Sequence, residues 1–85
     1  MEVPVPRYFI DTTDGHLYAE DEEGSDLPDL QAAGREAVAA LPEIAKGLID
    51  RLPTEVSSIV RDEDGSVLFK ATLRLSEEWL VNPSA

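Results

Sequence analysis

The sequence contains no cysteine and only one histidine, His16, among its 85 residues. Without thiols the chain cannot form disulfides, zinc–thiolate sites or a cysteine nucleophile. It also has no run of eighteen or more apolar residues, and its first residues lack the basic-then-apolar order of a secretory signal. We therefore expect a soluble cytoplasmic protein.

Basic residues are scarce as well. Seven Lys and Arg stand against eighteen Asp and Glu, which gives a formal net charge of −11. Such a charge repels phosphate backbones and disfavours nucleic-acid binding. Residues 20–29 contain carboxylates and no base, and the simplest interpretation of this acidic run is a solvated loop. The alternative is a site for a divalent cation or a basic partner.

The content of apolar residues is ordinary for a globular domain, at 42%. A chain of this length forms one domain. We expect that domain to span residues 1–75 and a tail to span residues 76–85. The apolar residues of the tail, which include Trp79, fit neither the helix pattern nor the strand pattern.

Two Asp-Gly pairs, Asp14-Gly15 and Asp64-Gly65, predict two β-hairpins because each is flanked by alternating apolar residues. If each pair is a two-residue type I′ turn, Thr12 lies opposite Leu17 in the first hairpin, and in the second Arg61 lies opposite Leu68. This register separates an apolar face from a mixed face in both hairpins. The apolar face then contains Tyr8, Ile10, Leu17, Ala19, Val56, Val60, Val67, Phe69, Ala71, Leu73 and Leu75.

The acidic sequence before Gly65 also raises the possibility of a calcium loop. An EF-hand loop needs oxygen ligands at alternating positions and a bidentate Glu six residues after its glycine. Here no acid stands at position 60, and the residue six positions after Gly65 is Ala71. The spacing disfavours an EF-hand, so we expect a turn and no metal site.

Between the hairpins, apolar residues recur every three to four positions over residues 29–51, which predicts an amphipathic helix. Asp29 is suited to cap its first turn, and Pro53 is suited to stop it. Pro42 falls inside the helix, where it removes one backbone hydrogen bond. We expect one helix that bends at Pro42; two helices broken near Leu41 are the alternative.

The order strand, strand, helix, strand, strand predicts an α+β fold in two layers. A four-stranded antiparallel sheet is covered on one face by the single bent helix, and the other face stays open. The strand order within the sheet is undetermined by the sequence.

Several short motifs resemble a family of short bacterial proteins of unknown function. They are Pro6-Arg7-Tyr8-Phe9 followed by Asp11 and the first Asp-Gly turn, the acidic stretch at residues 21–24, the Leu-Pro-Asp-Leu stretch at residues 27–30, and the second hairpin at residues 60–65. The resemblance covers about residues 6–70 and departs from the family pattern at Pro42 and after Leu75. It implies no activity, substrate or catalytic residue.

Nothing in the sequence indicates catalysis. His16 follows a turn and is expected to be exposed, and there is no glycine-rich phosphate loop. We therefore expect a protein that is not an enzyme and that has no cofactor.

The open sheet face is the predicted partner-binding surface, and the expected partner is another protein or a second copy of the chain. Trp79 either extends this surface or packs under the helix. An antitoxin-like role or single-stranded nucleic-acid binding is the alternative, although acids offset the bases on this face. No membrane contact is expected. The predicted surface residues are Phe9, Tyr18, Ile59, Leu68, Arg7, Arg61, Lys70, Arg74 and Trp79.

Overall fold

The computed structural model describes residues 5–84, and it confirms the α+β fold with the order β-β-α-β-β. One additional two-residue strand precedes the helix. Residues 1–4 and Ala85 of the predicted domain and tail lie outside the described residues. The elements are β1 (Arg7–Thr13), β2 (Tyr18–Ala19), β3 (Ser25–Asp26), α1 (Leu30–Lys46), a short 3₁₀ helix (Ile49–Arg51), β4 (Thr54–Arg61) and β5 (Val67–Leu75).

All strand pairs are antiparallel, and the main path of the sheet runs β2-β1-β4-β5. After β3 the chain crosses the sheet through α1 and returns as β4 on the other side of β1. The strand β3 pairs with the first half of β1, whereas β2 pairs with its second half. The two short strands therefore form one interrupted edge, and the nine-residue β5 forms the other edge.

The helix packs on one face of the sheet through small side chains. Ala33 and Ala37 are fully buried against the strands, next to Val60 and Tyr8. A second group of buried residues joins the later half of the helix to β4, through Leu41, Ala45 and Val56. Because alanine has only a Cβ, α1 approaches the sheet closely, and the β-branched valines fill the space on the strand side.

The helix begins where the sequence predicts. Asp29 caps it, its Oδ1 accepting the N–H of Ala32 at 2.8 Å. The helix runs continuously through Pro42, which confirms a single helix. The prediction that it extends to Arg51 was wrong: it ends at Lys46 because the N–H of Gly47 turns back to Ile44 and the chain tightens into the 3₁₀ helix.

The second hairpin confirms the predicted register from Thr54 opposite Leu75 to Val60 opposite Phe69. Its turn differs from the prediction. No non-glycine residue of the described chain has a positive φ, so Asp64 does not adopt a type I′ conformation, and only Gly65 is left-handed, at φ +86°. The hairpin therefore has a three-residue loop instead of a two-residue turn, and a bulge shifts the strand pairing next to the loop.

The bulge places Arg61 opposite Val67 instead of Leu68. The side chain of Asp62 holds the loop, because its Oδ1 accepts the N–H groups of Asp64 and Ser66, both at 2.9 Å. The carboxylate of Asp62 is therefore hydrogen-bonded to the backbone of its own loop.

The first hairpin has a longer loop than predicted. Thr12 lies opposite Ala19, not Leu17, and Thr13 lies opposite Tyr18. The pairing is shifted by two residues, and the period of a strand is also two, so the paired residues keep their predicted faces. Leu17 is the exception: it was predicted on the apolar face, but it lies in the loop and is 74% exposed. The extra loop residues are held by Asp14, whose Oδ1 accepts two backbone N–H groups at 2.8 Å.

The described part of the tail, residues 76–84, contains no helix and no strand, and all of its residues are exposed. Trp79 neither packs under the helix nor lies on the sheet, and it is 67% exposed. The Cα radius of gyration is 16.5 Å, against about 12 Å for a compact chain of this length. The structure is correspondingly elongated, at 70 × 20 × 16 Å.

Candidate interaction surface

The sheet face opposite α1, here called the open face, carries eight of the nine residues predicted to bind a partner. Strand alternation and the observed pairings place them there, and Trp79 is the exception because it lies in the tail. The eight residues are Arg7, Phe9, Tyr18, Ile59, Arg61, Leu68, Lys70 and Arg74.

Asp11 organises the centre of the open face, a role that the sequence analysis did not identify. Its side chain is completely inaccessible to solvent although it points away from the helix. Arg61 donates to both carboxylate oxygens, at 2.6 Å from Nε and 3.0 Å from Nη2. The hydroxyl of Tyr18 donates at 2.7 Å, and the N–H of Asp21 donates at 2.9 Å.

The protonation of Asp11 follows from these contacts. Burial disfavours the carboxylate and on its own would raise the pKa. The hydrogen bonds from Arg61, Tyr18 and the backbone of Asp21 outweigh burial, so the pKa lies below the ordinary value of 3.8. Asp11 in turn raises the pKa of the Tyr18 hydroxyl and the pKa of Arg61 by accepting hydrogen bonds from them. Asp11 is therefore an ionised carboxylate that is paired with Arg61 and hydrogen-bonded by its neighbours within the chain.

Phe9 is covered on this face by groups of the same chain. The guanidinium carbon of Arg61 lies 5.2 Å from the centre of the Phe9 ring, which is a cation–π distance. Gly24 approaches from the edge: a Cβ placed on it would lie 2.9 Å from Cε1 of Phe9 and 3.0 Å from Cγ of Arg7. Phe9 is half-buried as a result.

The acidic run is not simply a solvated loop. Asp21 accepts the N–H of Ile10 at 3.1 Å and the N–H of Gly24 at 3.0 Å, so its carboxylate takes the place of a strand partner between β2 and β3. Burial on its own would raise the pKa of Asp21, but these backbone donors lower it. Asp26 pairs with Arg7 at 3.1 Å. The interpretation as a solvated loop is thus wrong for Asp21, whose carboxylate is taken up by the backbone of β1, whereas Asp26 forms an exposed salt bridge.

The part of the open face over β4 and β5 is less enclosed. Ile59 lies directly opposite Lys70. Leu68, two residues before Lys70 on β5, is 40% exposed. Lys70 and Arg74 are exposed, and no salt bridge within residues 5–84 involves them. This region combines apolar and basic side chains, and Tyr18 lies farther away, at the β2 edge.

Three further observations concern the described residues outside the open face. No group of three His, Asp or Glu side chains between residues 5 and 84 is placed to hold a metal ion. His16 lies in the exposed loop of the first hairpin, where its N–H donates to Asp14. In the same part of the chain no helix is long and apolar enough to cross a membrane.

Comparison with known proteins gives one match. Residues 7–74 match the model of a domain of unknown function, DUF6894. This range begins with the first residue of β1 and ends one residue before the end of β5, so it contains the sheet and the helix and leaves out the tail. No curated protein and no solved structure matches the chain.

Proposed function

Since the chain belongs to the DUF6894 family, whose function is unknown, we propose its role from its surface: it is a non-catalytic protein-interaction domain that binds another protein through the open face. We further propose that it acts in the cytoplasm of a bacterium, as its composition and motifs suggest.

One observation carries the proposal: Ile59 and Leu68 are partly exposed beside two bases without acidic partners among the described residues. An apolar centre with a charged rim is the usual composition of a protein interface. The bases Lys70 and Arg74 favour a partner that presents an apolar anchor surrounded by carboxylates.

The same geometry argues against single-stranded nucleic acid. Binding of that kind needs bases free to meet phosphates and aromatic rings free to stack. On this face Arg61 is paired with Asp11, Arg7 is paired with Asp26, and the ring of Phe9 is already covered. Two of the four bases that suggested a nucleic-acid platform, together with Phe9, are thus occupied within the chain, which leaves Lys70 and Arg74 to meet a partner.

A photocrosslinking amino acid at Ile59 tests the proposal in cells of the source organism. Ile59 lies on β4, in the interior of the sheet, so a reagent there reports on the face and not on an edge. We expect one discrete covalent adduct with a second protein, and we expect it to disappear when Lys70→Glu and Arg74→Glu reverse the neighbouring charges. Glu36, exposed on the outer side of α1, is the control position for the reagent.

The proposal fails if Ile59 gives no protein adduct, or if Glu36 gives the same adducts as Ile59. An adduct with nucleic acid at Ile59 would replace it with the alternative function. Circular dichroism of each variant checks that the fold is retained, which is expected since Lys70 and Arg74 are both exposed.

A further inference from the structure

The strand β5 is incompletely covered on two sides. It is the last strand of the sheet path, so the backbone groups along its outer side have no strand partner within the described chain. It is also nine residues long, whereas natural edge strands are usually short or interrupted. Its side chains that face the helix layer, Phe69, Ala71, Leu73 and Leu75, are only half-buried.

An apolar groove runs beside this edge, between α1 and the beginning of β5. Its volume is about 650 Å³. Leu30 and Val38, 39% and 49% exposed, lie along the helix on either side of Gly34, and the ring of Phe69 forms the strand side. Arg35 is the only charged residue in its lining.

The tail supplies a segment that matches this groove. It carries Trp79, Leu80 and Val81, which are 67%, 84% and 76% exposed. Two acids, Glu77 and Glu78, precede them. The hydrogen bonds of the described chain include none between this segment and the body. Three consecutive exposed apolar side chains are costly in water and mark a contact.

Within its own chain the backbone of Trp79 falls short of the Phe69 end of the groove. It leaves β5 at Leu75, six residues beyond Phe69, which is about 20 Å along a strand. Trp79 follows Leu75 by four residues and reaches at most about 14 Å. A second copy removes this limit, because an antiparallel neighbour of β5 ends where β5 begins.

We propose that two copies of this chain pair antiparallel through β5 and that residues 77–81 of each copy bind in the groove of the other. The twofold arrangement brings each tail to the Phe69 end of its partner's strand and places apolar side chains in an apolar groove. The acids before Trp79 then approach Arg35, which has no salt bridge within residues 5–84.

The size of the contact is adequate. A buried tryptophan removes roughly 150–250 Å² from water, and the symmetric arrangement buries two. Leu80, Val81, the groove they cover and the paired strands add to this area, toward the roughly 1,200 Å² that marks the smaller stable complexes. This inference goes beyond the proposed function and uses the edge of the sheet instead of the open face.

Trp79 is the only tryptophan of the chain and therefore reports directly on the tail. We expect the full chain to sediment as a dimer, and we expect its tryptophan emission to shift to longer wavelength when dilution separates the copies. Val38→Glu places a charge in the groove and should weaken the dimer by about tenfold or more. Leu17→Glu, an equivalent change at a side chain 74% exposed in the first hairpin loop, should leave the dimer unchanged.

A mixing experiment separates binding between copies from folding back within one copy. The double variant Trp79→Ala, Leu80→Ser keeps the groove and lacks the tail anchors, whereas Val38→Glu keeps the anchors and lacks the groove. Mixed together, they restore one intact contact. We therefore expect dimers to reappear and the emission of the Val38→Glu chain to shift to shorter wavelength.

Four results would overturn the inference: a wild-type chain that is monomeric at millimolar concentration, a dimer unaffected by Val38→Glu, a tryptophan emission independent of dilution, or a mixture that behaves as the sum of its parts. Misfolding does not obscure the outcome, because the tail variant changes side chains that are 67% and 84% exposed and lie outside the sheet and the helix. Crosslinking at Ile59 tests the open face separately, and either proposal can fail alone.

Discussion

Replacing Asp11 with alanine is expected to destabilise the fold strongly although the residue lies outside the helix-facing core. The change removes four hydrogen bonds to one buried carboxylate and leaves Arg61, Tyr18 and the N–H of Asp21 without their acceptor. Breaking a buried ion pair on one side typically costs 3–5 kcal/mol. Arg61 retains some contact with water, so we expect a loss at the low end, about 3 kcal/mol.

Urea denaturation followed by circular dichroism measures this loss. The matched control is Arg7→Ala, which removes a salt bridge on the same face whose side chains are 46% and 56% exposed, and we expect it to cost less than about 1 kcal/mol. If Asp11→Ala cost no more than Arg7→Ala, the network around Asp11 would not stabilise the fold and the reasoning would be refuted.

The same carboxylate makes stability depend on pH. Its pKa in the folded chain lies below the ordinary value of 3.8, so its contribution is complete above the unfolded pKa of about 3.9 and is lost as the pH falls through the folded pKa. Asp11→Asn should therefore flatten the decline of stability below about pH 4. A remaining decline is expected from Asp21, whose pKa is also lowered. Denaturation between pH 7 and pH 3 compares the slopes, and identical slopes would contradict the assignment.

Two glycine substitutions test the packing against the sheet. In Gly24→Ala the new Cβ would lie 2.9 Å from Phe9, and the backbone has a positive φ of 73°. The loss of stability should therefore clearly exceed the roughly 1 kcal/mol expected for Gly65→Ala, which has a positive φ but open space around it. Equal melting temperatures of the two variants would be inconsistent with the close approach. Gly34→Ala is expected to stabilise the fold instead. Its Cβ would lie 3.5 Å from the Phe69 ring, which is an ordinary contact, and alanine favours the helix by up to about 1 kcal/mol. A melting temperature below that of the wild type would show that the ring has no room.

The fold was predictable from the sequence where local chemistry decides it. Alternation in the strands, the change to a helical period and the capping residue Asp29 gave the order of elements and the face of most strand residues, with Leu17 and Val67 beside the turns as exceptions. The turn type was not predictable, because Asp14 and Asp62 accept backbone N–H groups and so stabilise longer loops than the two-residue turn. The end of the helix was missed because the apolar period continues through Leu48, which packs on the core from outside the helix.

The centre of the candidate site was not predictable, for a physical reason. Arg61 and Asp11 are fifty residues apart, and their pairing depends on β1 lying next to β4, a strand order that no local pattern encodes. The alternation of the strands placed both residues on the open face, yet the sequence analysis counted them only as charges that offset one another. A lone acid directly after three apolar residues of β1, residues 8–10, and close to an acidic stretch is the signal that could have identified Asp11.

The two edges of the sheet are unlike each other, and this difference limits how many chains can join. A sheet that could extend from both edges would add copies without end and form a fibre. Here the β1 side ends in two-residue strands, and the carboxylate of Asp21 already occupies the N–H of Ile10 in the gap between them. Among residues 5–84, β5 is the one long edge without a strand partner, so the association proposed through it would stop at two chains, and Asp21→Ala would expose a second growth point.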